Sequence, residues 1–233
     1  MASLRARRGI DVNLRSGPQM REYEAFADQM AADRPGRVLD WGCGWGQVSA
    51  LLHERGVDVQ PFDYRPAESG PGEAPLERFP EIVCAFSPEP VALPFGAASF
   101  DSALSCGVLE HVQDPGASLE ELWRVLRPGG RLYVIKLPNR ASYLEKVAKR
   151  MGLYYHGALE HDTLYTPSSA REIVGHHGFS VIHVRLANML PLTLDHPLAT
   201  RFSGAIWALN RLLERIPLLN RLATNVEVYA KRS

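Results

Sequence analysis

Three glycines at alternate positions, Gly42, Gly44 and Gly46, separate an apolar run ending at Trp41 from a helix-like stretch that starts at Gln47. Removing every second side chain lets the backbone bend tightly and come close to a ligand. The helix that follows offers unpaired N–H groups at the same place. A tight strand–helix turn without a ligand is the plain alternative. An acidic residue about 20 positions beyond such a turn is placed to hydrogen-bond ribose hydroxyls. Asp63, in Pro61-Phe62-Asp63-Tyr64, has that place; alone it would read as a solvated loop aspartate. With Asp40 the turn reads D-x-G-x-G-x-G. A dinucleotide fingerprint, G-x-G-x-x-G, would need glycine where Gln47 stands, which disfavours an NAD-dependent oxidoreductase.

Other chemistry is set aside by composition. Formal net charge is zero, so the chain lacks the global basic field that gathers nucleic acid. Cys43, Cys84 and Cys106 form no CxxC pair, so neither a zinc site nor a disulfide framework is suggested, and free thiols fit a reducing cytoplasm. The arginine-rich start, MASLRARRGIDVNLRSG, lacks the apolar stretch of a secretory leader. No run reaches the ~18 apolar residues of a membrane-spanning helix. The expected location is cytoplasmic, with attachment to a membrane surface left open.

The elements that must hold these residues alternate. Residues 1–18 read as a flexible basic arm and 19–233 as one domain. Met20, Tyr23, Phe26, Ala27 and Met30 predict an amphipathic helix over 19–33, stopped by Pro35-Gly36. Strands are expected at 37–41, 57–62, 81–86, 99–105, 131–137 and 178–186, with a closing strand at 225–231. Helices are expected at 47–55, 117–126 and 168–177. Alternation of this kind argues for a parallel sheet with helices on both faces, with ligands beyond the carboxyl ends of the strands.

Val38-Leu39-Asp40-Trp41-Gly42-Cys43-Gly44-Trp45-Gly46 is followed in order by three further stretches. They are Leu93-Pro94-Phe95 running to Phe100-Asp101, Leu109-Glu110-His111-Val112, and Leu126-Arg127-Pro128-Gly129-Gly130 before an apolar strand. Together these resemble the class I methyltransferases that use S-adenosyl-L-methionine (SAM), in a small-molecule branch. The likeness covers residues 36–137 well and 138–186 loosely. It implies a Rossmann-like α/β fold with a seven-stranded, mostly parallel sheet and an antiparallel last strand. It further implies that Gly42, Cys43, Gly44 and Gly46 line the methionine half of SAM, that Asp40 positions the loop or the amino group, and that Asp63 with Tyr64 holds the ribose. Ser105 and Cys106, at a strand's carboxyl end, are expected to contact the methionine portion; a small buried hydrophobe is the alternative for Cys106. Many relatives carry aspartate near the adenine where this chain has Glu89 between two prolines, so the adenine contact falls to Glu89 or to neighbouring backbone.

The implied activity is methyl transfer to oxygen, nitrogen or carbon of a small molecule, with a hydrophobic or lipid-linked acceptor as one form. Such transfer mainly requires alignment and exclusion of water, helped by a general base where the acceptor carries a proton. His161 is the favoured base, with Glu160 or Asp162 to orient it, because this family often builds its acceptor site after the fifth strand. His111 is the second candidate, for which a capping or packing role weighs equally. His176 and His177 suit a helix end, and Asn139 a turn. Neither a D/N-P-P-Y motif nor a Pro-Cys pair for base methylation is present, so nucleic acid is not an expected partner and no metal is implied. The rival reading is a non-catalytic SAM-binding or interaction protein.

Residues 187–223 read as an apolar helical insertion before the last strand. From Phe202 to Leu222 apolar residues recur at helical spacing, with Asn210, Arg211, Glu214 and Arg215 on the opposite face. Packing of the apolar face on the sheet or on a second subunit is the preferred reading, leaving monomer and homodimer open. Peripheral membrane contact is the other.

Overall fold

The computed structural model describes residues 16–64, 82–152 and 162–233. Seven strands form one sheet in the order β3-β2-β1-β4-β5-β7-β6. They are β1 Val38–Trp41, β2 Val59–Tyr64, β3 Ala85–Ser87, β4 Phe100–Cys106, β5 Leu126–Pro138, β6 Phe179–Ala187 and β7 Asn225–Arg232. The pairs β1–β2, β2–β3 and β4–β5 are parallel, whereas β7 runs antiparallel to both β5 and β6. This is the Rossmann-like sheet with an antiparallel last strand that the methyltransferase resemblance implies, built on the parallel pairing that the alternating pattern suggests. Contacts divide the chain into two compact units, Met1–Pro94 with Leu192–Leu209, and Phe95–Pro191 with Asn210–Ser233.

In the first unit, α1 Gly17–Ala32 starts two residues before the periodicity suggests. Ser16 caps it by accepting from the Gln19 N–H, and Pro18 suits the first turn, where no N–H is needed. Ser16 also donates to the Leu192 carbonyl. Gly17 permits close approach to α6 Pro197–Arg201, since a Cβ here would lie 2.6 Å from Thr200 Cα. The predicted apolar stripe of α1 is buried as expected. All four residues of β1 are buried, consistent with a short central strand. Then α2 Gln47–Glu54 packs Val48, Leu51 and Leu52 inward. The third strand is shorter than its expected span of 81–86, and Glu81 lies outside the described residues.

In the second unit, α3 Pro115–Val125 is capped by Asp114, whose side chain accepts from the Ala117 N–H. It leads directly into β5, where the sequence suggests a turn at Pro128-Gly129-Gly130. The structure makes this turn a register shift between β4 and β5 instead. Gly130 is required there: a Cβ would lie 2.8 Å from the Arg127 carbonyl oxygen and 3.1 Å from that of Asp101. The Asp101 carboxylate pairs with Arg127 across the shift. A helix absent from the sequence reading, α4 Tyr143–Arg150, has no buried residue. Next, α5 Pro167–His176 carries a Thr166–Ser169 capping box.

In the segment before β7 the apolar face is not packed on the sheet, the first of the two expected arrangements. The segment forms α7 Ser203–Leu213 and a 3₁₀ turn at Leu219–Leu222. Phe202, Leu209, Leu212, Ile216, Leu219 and Leu222 are exposed, whereas Asn210 is 0% and Glu214 9% exposed. The buried groups are bonded. Asn210 Oδ1 accepts from the N–H groups of Met189 and Leu190, and Glu214 Oε1 from those of Asn188 and the Asn210 amide. Burying Asn210 and Glu214 is tolerable because their partners are inside with them, and the price is an apolar face turned outward.

Candidate functional site

At the end of β1 the chain turns through Gly42, Gly44 and Gly46 with φ of 72°, 52° and 72°. All three lie in the left-handed region, which explains why glycine recurs at alternate positions. The N–H groups of Gly42 and Cys43 both donate to the Phe62 carbonyl, at 2.9 and 3.0 Å. This fixes the turn to the end of β2. The Gly44 N–H donates to Asp63 Oδ2 at 3.0 Å, and Asp63 Oδ1 accepts from the Tyr64 N–H at 2.8 Å. Asp63 therefore orders the glycine turn directly, a contact the sequence spacing hinted at only through a shared ligand. Tyr64 is exposed beside it. Where a Cβ on Gly44 would sit, nothing lies within 4 Å, so the turn's backbone faces open space.

Asp40 sits beneath the turn, 1% exposed. Its Oδ2 accepts from the Ser49 hydroxyl at 2.5 Å, joining β1 to α2. Burial pushes the carboxyl up from 3.8 to about 6, with the Asp63 charge adding and the Ser49 bonds opposing. The resemblance gave Asp40 the loop or the amino group to position; here its carboxylate ties the strand before the glycine turn to the helix after it. Glu89 is exposed, and its N–H donates to Ser87 Oγ. Cys43 and Cys84, distant in sequence, bring their sulfurs to 3.5 Å. The hydrogen bond to Cys84, then burial, pushes the Cys43 thiol far up, so it stays protonated.

The second unit carries the remaining candidates. Ser105, near the end of β4, is buried, and its hydroxyl has no partner among the described residues. Cys106 is half-buried, and Gly107 follows with φ 68°. The chain then turns through Val108–His111, closed by the His111 N–H donating to the Val108 carbonyl. His111 Nδ1 stands 2.8 Å from Asp162 Oδ1, and Glu110 Oε1 is 3.8 Å from His111 Nε2, beyond hydrogen-bond reach. Glu110 and the Asp162 side chain are buried, whereas the imidazole is partly exposed. The Asp162 loop is held to the Glu110 turn by the Thr163 N–H donating to the Glu110 carbonyl. Burial and the nearby Glu110 charge push the Tyr165 phenol up, so it stays neutral.

Sequence reasoning gave His161 either Glu160 or Asp162 as its orienting carboxylate. The structure pairs Asp162 with His111, while His161 and Glu160 lie outside the described residues. The pairing across 51 residues leaves no spacing signal. A carboxylate on Nδ1 fixes the imidazole tautomer, with the proton on Nδ1 and the lone pair on Nε2. The backbone at Lys136, on β5, is also unusual. It adopts φ 67° within the β5 irregularity against β7, a strained conformation for a residue with a Cβ. Asn139 is buried and serves as a turn residue. Its amide donates to the carbonyls of Arg221 and Ala223, and its oxygen accepts from the Ala141 N–H.

The sequence profile of a family described as methyltransferase domain matches residues 16–184. The chain belongs to this family. It is 32% identical over 150 residues to a demethylmenaquinone methyltransferase of Deinococcus radiodurans, covering 57% of this chain and 60% of that protein. A protein of the same description from Beutenbergia cavernae is 39% identical over 111 residues, 47% of this chain and 44% of the relative. The chain thus spans no more than about six-tenths of the length of these curated relatives. Among solved structures, a SAM-dependent methyltransferase from Thermotoga maritima superposes with a TM-score of 0.61 at 16% identity, covering 92% of each chain. At that identity the likeness speaks for the fold.

Proposed function

We propose that this methyltransferase-family chain transfers a methyl group from SAM to an oxygen, nitrogen or carbon of a small molecule. The observation that carries the reading is the glycine turn at the carboxyl end of β1, whose Gly44 N–H is bonded to Asp63 at the end of β2. The residues present fit the donor: the Gly44 backbone faces open space, and Asp63 is an acidic group at the position that suits ribose hydroxyls. Gly42, Cys43, Gly44 and Gly46 would hold the methionine half, Asp40 would keep the turn in place from below, and Asp63 with Tyr64 would hold the ribose. Glu89 is retained for the adenine end. Ser105 and Cys106 keep the donor-binding role implied by resemblance, Ser105 through a buried hydroxyl available to a polar partner.

When bound, SAM supplies an electrophilic methyl on a sulfonium, whose departure leaves a neutral thioether. The protein's task is then alignment, exclusion of water and proton handling. In the described residues His111 is the base: Asp162 accepts from Nδ1–H, Nε2 takes the proton of an acceptor hydroxyl or amine, and the carboxylate stabilises the imidazolium that results. His161 remains the second candidate. The demethylmenaquinone activity of the named relatives supports an apolar or lipid-linked acceptor.

Calorimetric titration with SAM and with NAD, using Asp63→Ala alongside the wild type, tests the donor. Micromolar SAM binding weakened by the substitution, with no NAD signal, is the expected result. Folded protein that does not bind SAM would overturn the proposal.

A further inference from the structure

Residues 215–222, Arg-Ile-Pro-Leu-Leu-Asn-Arg-Leu, project their apolar side chains from the second unit. Ile216, Leu218, Leu219 and Leu222 are all exposed, Leu218 at 69%. A soluble surface tolerates single exposed aliphatics, but four within seven residues, at one loop, are a patch that calls for a partner. The loop is not loose. The Asn220 amide donates to the Glu214 carbonyl, and the buried Asn139 amide holds the carbonyls of Arg221 and Ala223. Leu218 adopts φ 68°, ψ −40°, a conformation that costs a branched side chain and presents it outward. Arg215 and Arg221 are exposed beside these apolar side chains.

Charge identifies what the loop meets. Arg215 and Arg221 flank the apolar residues, and neither is in an ion pair among the described residues. No acidic residue occurs from 215 to 222, and Glu214, just before, is buried and bonded to Arg211. A two-fold contact between two copies would set this arginine-bearing surface against itself with no carboxylate in the loop to neutralise it. An anionic bilayer supplies both requirements, negative charge for the guanidiniums and an apolar layer beneath for the aliphatic side chains. The amphipathic helix α4 in the same unit, without a buried residue, adds exposed Val147 and Met151 with Lys146, Lys149 and Arg150. We infer that residues 215–222 dock this protein on an anionic lipid surface, with Leu218 and Leu219 entering the headgroup–acyl boundary. Nothing in this depends on the methyl-transfer reading.

The test is co-sedimentation of the full chain with phosphatidylcholine vesicles and with vesicles also containing phosphatidylglycerol, with light scattering of the protein alone. Variants are Leu218→Asp, the pair Arg215→Gln/Arg221→Gln, and Ile182→Asp as a control at an exposed apolar position on β6. All sites are exposed, and circular dichroism checks that each variant folds. The wild type is expected to pellet with the anionic vesicles only. Each arginine removed lowers partitioning about five-fold, so the pair lowers it about 25-fold. Leu218→Asp lowers it at least ten-fold, and the control leaves it unchanged. No wild-type binding, equal binding to both vesicle types, or binding that survives the loop variants would each overturn the inference. So would self-association that Leu218→Asp abolishes in protein that ignores vesicles, which would make a second copy the occupant.

Discussion

Replacing Asp40 by asparagine keeps a side chain of the same shape on Ser49 while removing a carboxyl whose ionisation burial opposes. The group titrates at about 6 in the folded chain against 3.8 for the free side chain. Because the folded value is raised, the native state binds the proton more readily than the unfolded chain does. Ionised Asp40 therefore costs stability, fully above pH 6 and progressively less as pH falls from 6 towards 3.8. Linkage puts the cost at about 3 kcal/mol at pH 8, about 1.6 at pH 5 and about 0.5 at pH 4. The asparagine amide brings its own penalty for an added buried N–H donor, about 1–3 kcal/mol, but that penalty does not change with pH. The diagnostic quantity is thus the pH dependence of the difference between variant and wild type. Urea unfolding at pH 8, 5 and 4 should show the variant losing about 2.5 kcal/mol relative to wild type between the first and last. Titrations elsewhere in the molecule cancel in that difference. A difference that stays constant over this range would refute the reasoning, since Asp40 would then ionise alike in both states.

His111→Ala is expected to lower kcat by about 10²–10⁴-fold for an acceptor that must lose a proton, while calorimetric SAM affinity stays put. Asp162→Asn should lower kcat by less and leave SAM affinity unchanged, and wild-type turnover in both variants would move the base to His161. Asp63→Ala removes a charged hydrogen-bond partner of the Gly44 N–H and should weaken SAM binding by about 10- to 100-fold in the same titration. Gly130→Ala drives a Cβ to 2.8 Å from a backbone oxygen. Thermal unfolding should report a loss of about 1–3 kcal/mol, and an unchanged melting temperature would show that the β4–β5 shift relaxes freely.

Local rules were enough for the glycine turn of this protein. The run from Val38 to Gln47 combines an apolar strand, glycines that alone accept positive φ at 42, 44 and 46, and a helix start. Each of those is a property of a few consecutive residues. Alternation of strand and helix patterns likewise foretold the sheet, and Asn225–Arg232 read as a strand because its alternation is short-range. Boundaries slipped where caps decide them, as at Ser16, and where α3 runs straight into β5 at Leu126, ahead of the bulge at Pro128-Gly129-Gly130.

Tertiary structure alone decided what meets across distance. Asp162 finds His111 because the Thr163 backbone is bonded to the Glu110 turn, a closure over about 50 residues that no periodicity records. Cys43 finds Cys84 in the same way. In α7 the helical period showed that one face is apolar, but not which face is covered. That depended on Asn210 and Glu214 meeting the backbone N–H groups of Asn188 to Leu190, bonds strong enough when buried to turn the polar face inward and leave the leucines outside.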